Sequence, residues 1–447
     1  MLKSVCGFSK MGKDEKLKWL ASQFEGSLQE RFTKIKKYWN SDIEEQKTFD
    51  EISENTITNY YMPYSIAPNL LVNEKMYHVP MVIEESSVVA AASSGAKFWM
   101  ARGGISAQVL STKKYGQIHF LWKGESLKLQ HFVEKNKIKF IQEMHPLTKN
   151  MQNRGGGILS IELKDYNSQE PNYYQLEVGF ETCDAMGANF INTVLESMAK
   201  IFVQSCMQED SFSDTEKNPD ILMCILTNYN PECVVRAEVR CSIEELGSFA
   251  YGDKPDVYMS AEEFAERFTQ AIRITKFDVK RAVTSNKGIF NGVDAVALAT
   301  GNDFRAIEAG AHAYAAREGQ YQGLSYARIE NNNFIFGLEL PLSVGTLGGV
   351  TSLHPLAQTS LELLGRPHAN ELMMIMAATG LVQHFTAVRA LVTTGIQRGH
   401  MQLHLLNILH QLAANKDEQS MAQKFFMGKT ISFSTVRDFL NTIRNIQ

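Results

Sequence analysis

Residues 286–303, with the sequence NKGIFNGVDAVALATGND, place one lysine and two aspartates in a run of small and apolar residues. A run of this composition normally belongs to the interior of a protein, where a charged side chain is rarely found unless it is paired. We therefore expect Lys287 and Asp303 to be matched by charged groups of the same cluster, and a glutamate from elsewhere in the chain would satisfy both.

The overall composition is that of an ordinary globular enzyme. The chain has 447 residues, 44% of them hydrophobic, and a formal net charge of −4. This length suits two or three domains of roughly 150 residues, and the charge argues against nucleic acid as a partner. No apolar run approaches the roughly 20 residues of a transmembrane helix, no signal peptide is recognisable, and the six cysteines form no CxxC pair. We expect a cytoplasmic enzyme with reduced cysteines and no membrane partner.

The middle of the chain has the clearest secondary-structure pattern. It predicts strands at 116–122, 158–164, 174–181 and 221–226, and helices at 126–144 and from Ala185 to about Met207. The order βαββαβ is that of a ferredoxin-like split βαβ unit. No G-x-G-x-x-G motif occurs in the chain, so a dinucleotide would have to bind without a Rossmann fold.

This pattern predicts an α+β protein with three parts. A small domain, residues 111–228, is inserted into a large domain of mixed helices and strands formed by residues 1–110 and 229–395. The polar-flanked helical segment 396–447 has the size of a separate C-terminal flap.

Two charged segments are candidates for catalysis. Glu84 and Glu85 end a strand and precede a helix of small residues. A carboxylate there either complements the helix dipole or, when half-buried, has a pKa raised enough to donate a proton. Taken singly, Asp303 is a helix N-cap and Lys287 a loop lysine, whereas a buried cluster of both with a glutamate is more often catalytic.

Two further segments have both a functional and a packing interpretation. The helix start DAMGANFINT, residues 184–193, would admit a ligand phosphate to backbone N–H groups, although close helix packing requires the same small residues. His400 follows a glycine-containing turn and is either a mobile proton donor or a packing residue. His400 and His404 have the spacing of a helical metal pair, but no third ligand lies beside them, so we predict no metal site.

Together these segments resemble those of the hydroxymethylglutaryl-coenzyme A reductases, and in detail of the soluble bacterial class II branch. The matching segments run in family order from residue 54 to 401: ENTITNYYMPYSIAPNLLVN, EESSVVAAAS, RGGG, DAMGANFINT, SNKGIFNGVDAVALATGND, HPLAQTSLELLG and GIQRGHM. The resemblance implies a homodimer with a large substrate domain, a ferredoxin-like cofactor domain and a mobile flap. It also implies reduction of 3-hydroxy-3-methylglutaryl-coenzyme A (HMG-CoA) to mevalonate and free coenzyme A by two NAD(P)H, through a mevaldyl-CoA hemithioacetal and mevaldehyde.

The resemblance assigns four catalytic residues. Lys287 would stabilise the oxyanion formed by hydride attack on the thioester, and Glu85 would donate a proton to the later intermediates. Asp303 would keep Lys287 charged and share a proton with Glu85. His400, on the flap, would protonate the leaving thiolate.

The same match assigns the binding residues. Those for the substrate would be Ser87, Arg281, Asn291 and Gln383, and those for the cofactor Asp184, Met186, Gly187, Asn189 and Asn228. In the family the two sites meet across the dimer interface, which predicts that a monomer is inactive.

The segment before the triple glycine at residues 155–157 bears on the choice between NADPH and NADH. NAD-preferring relatives carry an acidic residue there to bind the ribose 2′-OH, whereas this chain has Lys149 and Arg154. This favours NADPH over NADH, and hence mevalonate synthesis. Ser9 also stands where a relative has a phosphate-contacting arginine, and Lys10 is the adjacent cation.

Two alternatives to mevalonate synthesis stay open. One is the same enzyme working oxidatively on mevalonate, coenzyme A and NAD, and the other is an inactive binding or regulatory homologue.

Overall fold

A computed structural model describes residues 4–252, 257–395, 405–426, 429 and 431–444. The chain begins with a short 3-10 turn at Phe8–Lys10 and three helices, α1 (Lys13–Ala21), α2 (Leu28–Lys36) and α3 (Ile43–Ile52). The side chains of Ser27 and Asp42 accept backbone N–H groups at the starts of α2 and α3, which satisfies donors that a helix leaves unpaired.

An antiparallel hairpin and a helix of small residues follow. Strands β1 (Tyr64–Val72) and β2 (Lys75–Val82) pair with each other, and they are followed by α4 (Ser86–Met100) and β3 (Ser106–Thr112). Only three residues separate the end of β2 from the start of α4, so Glu85 is placed at the helix N-terminus.

The next segment forms a four-stranded antiparallel sheet with helices. Its elements are β4 (Lys114–Leu121), α5 (Ser126–Glu143), α6 (His145–Gln152), β5 (Gly157–Asp165), β6 (Tyr173–Glu181), α7 (Ala188–Gln208) and β7 (Asp220–Leu226). The strand order is β5-β6-β4-β7. The strands predicted from the sequence are present, but α7 begins three residues later than predicted because residues 184–187 form a turn that ends at Gly187, with φ of 98°.

The chain then returns to larger helices and a second four-stranded sheet. The elements are β8 (Cys233–Ser242), α8 (Ile243–Leu246), β9 (Phe249–Ala250), β10 (Tyr258–Met259), α9 (Ala261–Ile274), α10 (Val279–Ala299), α11 (Phe304–Ala315), β11 (Ser325–Glu330), β12 (Asn333–Pro341), α12 (Val350–Leu353), α13 (Pro355–Leu363), α14 (Ala369–Val392), α15 (Lys416–Phe425) and α16 (Phe433–Arg444). The sheet has the order β11-β12-β8-β3, so a strand that precedes β4 pairs with one that follows β7.

The buried apolar side chains form three separate clusters. The largest joins the β11-β12-β8-β3 sheet to α4, α9, α10 and α14. The second lies between the β5-β6-β4-β7 sheet and helices α5 and α7, and the third contains Leu405, Leu409, Val436 and Leu440. In the described part of the chain, α14 is the one helix long and apolar enough to cross a membrane, and most of it is buried inside the protein.

Glycines allow α10 and α14 to approach each other closely. A Cβ atom at Gly292 would lie 2.9 Å from the carbonyl oxygen of Thr379, and one at Gly380 would lie 2.8 Å from a methyl group of Val293. Because neither position has room for a side chain, the two helices pack backbone to backbone. This contact fixes the helix that carries Lys287 against the centre of the largest core.

Candidate active site

Glu85 and Lys287 are brought together from distant parts of the chain. The Lys287 Nζ atom donates to Glu85 Oε2 at 3.1 Å, and the Ser87 hydroxyl donates to Glu85 Oε1 at 2.8 Å. Glu85 occupies the N-cap position of α4, but its carboxylate does not cap that helix. Both carboxylate oxygens are therefore directed to side chains of the site.

Two expectations about Lys287 are wrong. It lies in the third turn of α10 rather than in a loop, and its side chain is 63% exposed rather than buried, while that of Glu85 is 35% exposed. Gly292, which follows Lys287 by five residues, serves the packing of α10 against α14. Since solvent screens an exposed ion pair, this contact contributes little to stability, and its value lies in where it places the two groups.

Asp303 does not join this pair within the described chain. Its carboxylate accepts the backbone N–H groups of Arg305 at 3.1 Å and Ala306 at 3.2 Å, and it forms an ion pair with the Arg305 side chain. The interpretation of Asp303 as the N-cap of α11 is confirmed. The 12 residues from Lys287 to Ala299, the end of α10, span about 18 Å at 1.5 Å per helical residue. Asp303 therefore lies beyond the far end of α10.

Three of the four predicted substrate-binding residues, Arg281, Asn291 and Gln383, lie on α10 and α14, and the fourth, Ser87, lies on α4. Asn291 follows Lys287 by one turn of α10. Gln383 is buried on α14, and its Oε1 atom has no hydrogen-bond partner among the described residues. Arg281 lies in the first turn of α10, and burial together with the charge of Arg281 lowers the pKa of His384 to about 3. A buried acceptor without a donor, such as Gln383 Oε1, is suited to a ligand hydroxyl.

Asp294 is the other aspartate of residues 286–303, and the sequence pattern predicted no role for it. Asp294 follows Lys287 by seven residues, so it lies on the same face of α10, and its carboxyl group contacts that of Glu308 on α11. Burial and the neighbouring Glu308 raise the pKa of Asp294 to about 8, so this pair shares a proton at neutral pH. In the sequence, the spacing of seven residues between Lys287 and Asp294 could have indicated that the two side chains share one face of a helix.

The Asp184 carboxylate forms hydrogen bonds within the protein. It accepts the Ala369 N–H at 2.7 Å and contacts His368 Nδ1 at 2.8 Å, at the N-terminus of α14. Burial opposes ionisation of Asp184, but these hydrogen bonds outweigh it and lower the pKa. The backbone carbonyl of Asp184 also accepts the Thr346 N–H at 2.8 Å. Asp184 thus links the turn before α7 to the largest core.

The other predicted cofactor residues surround the N-terminus of α7. Met186 and Asn228 line one small cavity of about 10 Å³, and Asn189 is exposed in the first turn of the helix. A Cβ atom at Gly187 would lie 2.5 Å from the Thr182 methyl group, so only glycine fits there. The RGGG turn is adjacent, because the Cys183 thiol donates to the Arg154 carbonyl at 3.3 Å.

The remaining catalytic candidate is outside the part of the chain that the structure describes. His400 belongs to residues 396–404, and His404 belongs to the same segment. Its predicted role on a flap therefore stays a prediction.

The fold and these groups define an α+β enzyme with an acid–ammonium pair and, separately, a helix that begins after a glycine-containing turn. A family model described as hydroxymethylglutaryl-coenzyme A reductase matches residues 13–405. The chain therefore belongs to the HMG-CoA reductase family, whose members are oxidoreductases.

Relatives and solved structures agree with this assignment. The chain is 34% identical to the 3-hydroxy-3-methylglutaryl-coenzyme A reductase of Archaeoglobus fulgidus over 88% of this chain and 87% of the relative. It is 33% identical to a probable reductase of Borreliella burgdorferi over 84% and 81%. The class II reductase of Streptococcus pneumoniae, solved bound to NADPH in open conformations, matches with a TM-score of 0.70 and 35% identity, over 88% of this chain and 100% of that chain.

Proposed function

We propose that this protein reduces HMG-CoA to mevalonate and free coenzyme A with two NADPH. The observation that carries the proposal is the contact of Glu85 with Lys287, since it joins two of the segments that resemble the family and supplies an acid beside an ammonium group. Family membership over residues 13–405 supports the reaction class, and the solved relative bound to NADPH supports the cofactor.

The residues around the start of α7 fit a nicotinamide dinucleotide. Gly187 ends the turn that leads into α7, so the unpaired backbone N–H groups of this helix N-terminus are suited to a phosphate, and Lys149 and Arg154 are exposed cations suited to a 2′-phosphate. When bound, the cofactor supplies the hydride. Asp184 would act by holding the turn in place, and Met186, Asn189 and Asn228 would line the site.

The acid–ammonium pair performs the charge-dependent steps. The Lys287 ammonium stabilises the oxyanion that develops on the thioester carbonyl, and a preorganised donor of this kind lowers the barrier because it acts where charge forms. Glu85 accepts the hydroxyl proton as the mevaldyl-CoA hemithioacetal collapses to mevaldehyde, and it donates a proton to the alcohol oxygen as mevaldehyde is reduced. Ser87 orients Glu85, and Arg281, Asn291 and Gln383 bind the substrate. His400 protonates the departing thiolate.

We infer that a homodimer completes the site. Lys287 lies in the third turn of α10 and Asp303 lies beyond the C-terminal end of that helix, so an Asp303 beside Lys287 would have to come from a second copy of the chain. Large apolar side chains are exposed on and beside α12 and α13, which is consistent with a covered surface: Leu347, Leu353, Leu356 and Leu363. In such a dimer the exposed Lys287 and Glu85 would be sheltered from solvent, and a monomer would be inactive.

We further infer that the three apolar clusters correspond to three domains. The largest would be the substrate domain, the second a ferredoxin-like cofactor domain, and the third a C-terminal flap. The βαββαβ element order and the antiparallel strand order β5-β6-β4-β7 support the second assignment.

The test is the oxidation of NADPH and of NADH by the purified protein with HMG-CoA, followed by absorbance. We expect turnover with a higher kcat/KM for NADPH. A strong preference for NADH, with faster turnover of mevalonate, coenzyme A and NAD, would favour the oxidative alternative. Absence of turnover in both directions by a folded dimer would favour the inactive homologue.

A further inference from the structure

A buried lysine lies beneath the turn that leads into α7. Lys114, the first residue of β4, is 4% exposed. Its ammonium donates to Thr182 Oγ1 at 2.5 Å and to the Ala185 carbonyl at 3.1 Å. The Glu181 carboxylate, which acts on Lys114 through space, is instead hydrogen-bonded to Thr112 and to the Cys183 N–H. Burying an ammonium on a hydroxyl and a carbonyl is costly, so its presence calls for a function.

Lys114 and Thr182 together form the base of the turn. The Thr182 hydroxyl also donates to the Ala185 carbonyl, at 2.7 Å, so this oxygen accepts two hydrogen bonds from below. The Thr182 methyl group fills the space beside Gly187. The position of Lys114 therefore determines that of Thr182, and both determine the path of residues 185–187.

The opposite side of the turn rests on the largest core. A Cβ atom at Gly345 would lie 2.4 Å from the Met186 nitrogen, and Thr346 donates to the Asp184 carbonyl. The turn is thus held between Lys114 and the segment that follows β12. Lys114 also lines the cavity of about 10 Å³ that Met186 and Asn228 line, which has room for about one water molecule.

We propose that Lys114 is a positioning residue for cofactor binding. Through Thr182 and the Ala185 carbonyl it holds Met186 and Gly187 in the conformation that leaves the N-terminus of α7 open to the dinucleotide. The proposal rests on the proposed function, because it assumes that NADPH binds at this helix start.

The charge of Lys114 gives the proposal a second readout. Burial lowers the pKa of Lys114, and the facing groups Cys233, Glu181 and Cys183 oppose that shift. A phosphate bound at the adjacent helix N-terminus would favour the protonated ammonium. NADPH affinity should therefore weaken as the pH rises through the pKa of this lysine, with proton uptake on binding.

The experiment compares Lys114→Met with a control at the neighbouring lysine. Lys113→Met removes an ammonium that lies 3.8 Å from Glu232 and over the Tyr115 ring, away from the turn. We expect Lys114→Met to raise the Kd and KM for NADPH roughly ten-fold or more, the size expected for losing a charge-assisted hydrogen bond. The kcat at saturating NADPH and the KM for HMG-CoA should stay near wild type. The alkaline loss of affinity should disappear in Lys114→Met and persist in Lys113→Met.

A second variant covers the case in which Lys114→Met does not fold. Thr182→Val keeps the side-chain shape and removes the hydroxyl that joins Lys114 to Ala185, so it should also raise the Kd for NADPH. Where both variants fold, the double variant should bind NADPH no worse than Lys114→Met alone, because both residues act through one carbonyl. Wild-type affinity in Thr182→Val, or in folded Lys114→Met, would overturn the inference. A wild-type protein that does not oxidise NADPH with HMG-CoA would overturn the proposed function instead.

Discussion

The acid–ammonium pair and the turn before α7 are built in opposite ways. Lys287 reaches Glu85 through one exposed contact. The turn at residues 182–187 is fixed by Lys114 from one side and by Gly345 and Thr346 from the other, and the Asp184 carboxylate fastens it to α14. Among the described residues, the pair is exposed, whereas the turn is held by contacts from both sides.

The difference between the two regions corresponds to their proposed roles, which are catalysis for the pair and cofactor positioning for the turn. In the proposed function, Glu85 and Lys287 must meet a substrate and exchange protons, which requires that they stay accessible in the single chain. A turn that only presents backbone N–H groups gains from rigidity, because the cost of ordering it is then met during folding and not during binding. We therefore expect substitutions at the pair to change kcat, and substitutions at the turn to change cofactor affinity.

The largest effect is expected for Lys287→Ala. Loss of the oxyanion contact should reduce kcat on the order of 10²-fold or more, with KM for NADPH and the oligomeric state unchanged. Steady-state kinetics and size-exclusion chromatography measure both quantities. Lys280→Ala, at an exposed lysine on the same helix, is the control and should behave as wild type. Near-normal turnover in folded Lys287→Ala would remove Lys287 from the mechanism.

Mixed dimers test whether the pair is completed by a second chain. Asp303→Asn keeps an N-cap acceptor for α11 but loses the charge, so the variant should fold and be nearly inactive. Lys287→Ala and Asp303→Asn chains, unfolded and refolded together in equal amounts, should regain about a quarter of wild-type activity, since half of random dimers then hold one intact composite site. If both residues of a site came from one chain, no activity would return.

Gly187→Ala tests the rigid turn. The added Cβ would meet the Thr182 methyl group at 2.5 Å, and φ is 98°, so the turn must shift at a cost of about 1–3 kcal/mol. We expect the KM for NADPH to rise about ten-fold, with little change in the KM for HMG-CoA. Gly319→Ala has a similar φ of 89° with no atom within 4 Å of the new Cβ, and it should leave NADPH affinity unchanged. Equal kinetic effects of the two substitutions would contradict the role of the turn.

The effect expected for Asp294→Asn concerns stability and not turnover. The folded state holds a proton on Asp294 up to about pH 8, whereas the unfolded chain loses it near the ordinary value of 3.8. The free energy of unfolding of the wild type should therefore fall as the pH rises between these values and then level off. Asp294→Asn removes this dependence, so its Tm should exceed that of the wild type by a margin that grows up to about pH 8. A constant margin across this range, or a lower Tm at pH 8, would argue against the shared proton.

Several features could be read from the sequence because their causes are local. Three examples each depend on neighbouring residues: the alternation of apolar and polar residues in β6 and the strands beside it, the N-cap at Asp303, and the glycine at position 187. Lys287 was predicted to lie in a loop, but it lies in α10. Gly292 of this helix admits α14 at close range, and the sequence of α10 without its partner helix does not reveal this reason.

The sequence by itself determined the family, the βαββαβ order of the middle of the chain and the types of side chain available for catalysis, since these follow from short-range pattern and from the resemblance of contiguous segments. Only the tertiary structure decided which charges meet. It paired Glu85 with Lys287, fastened Asp184 to the start of α14 and placed Lys114 under Ala185. Contacts between residues far apart in the chain depend on how the cores pack, and local sequence leaves that packing open.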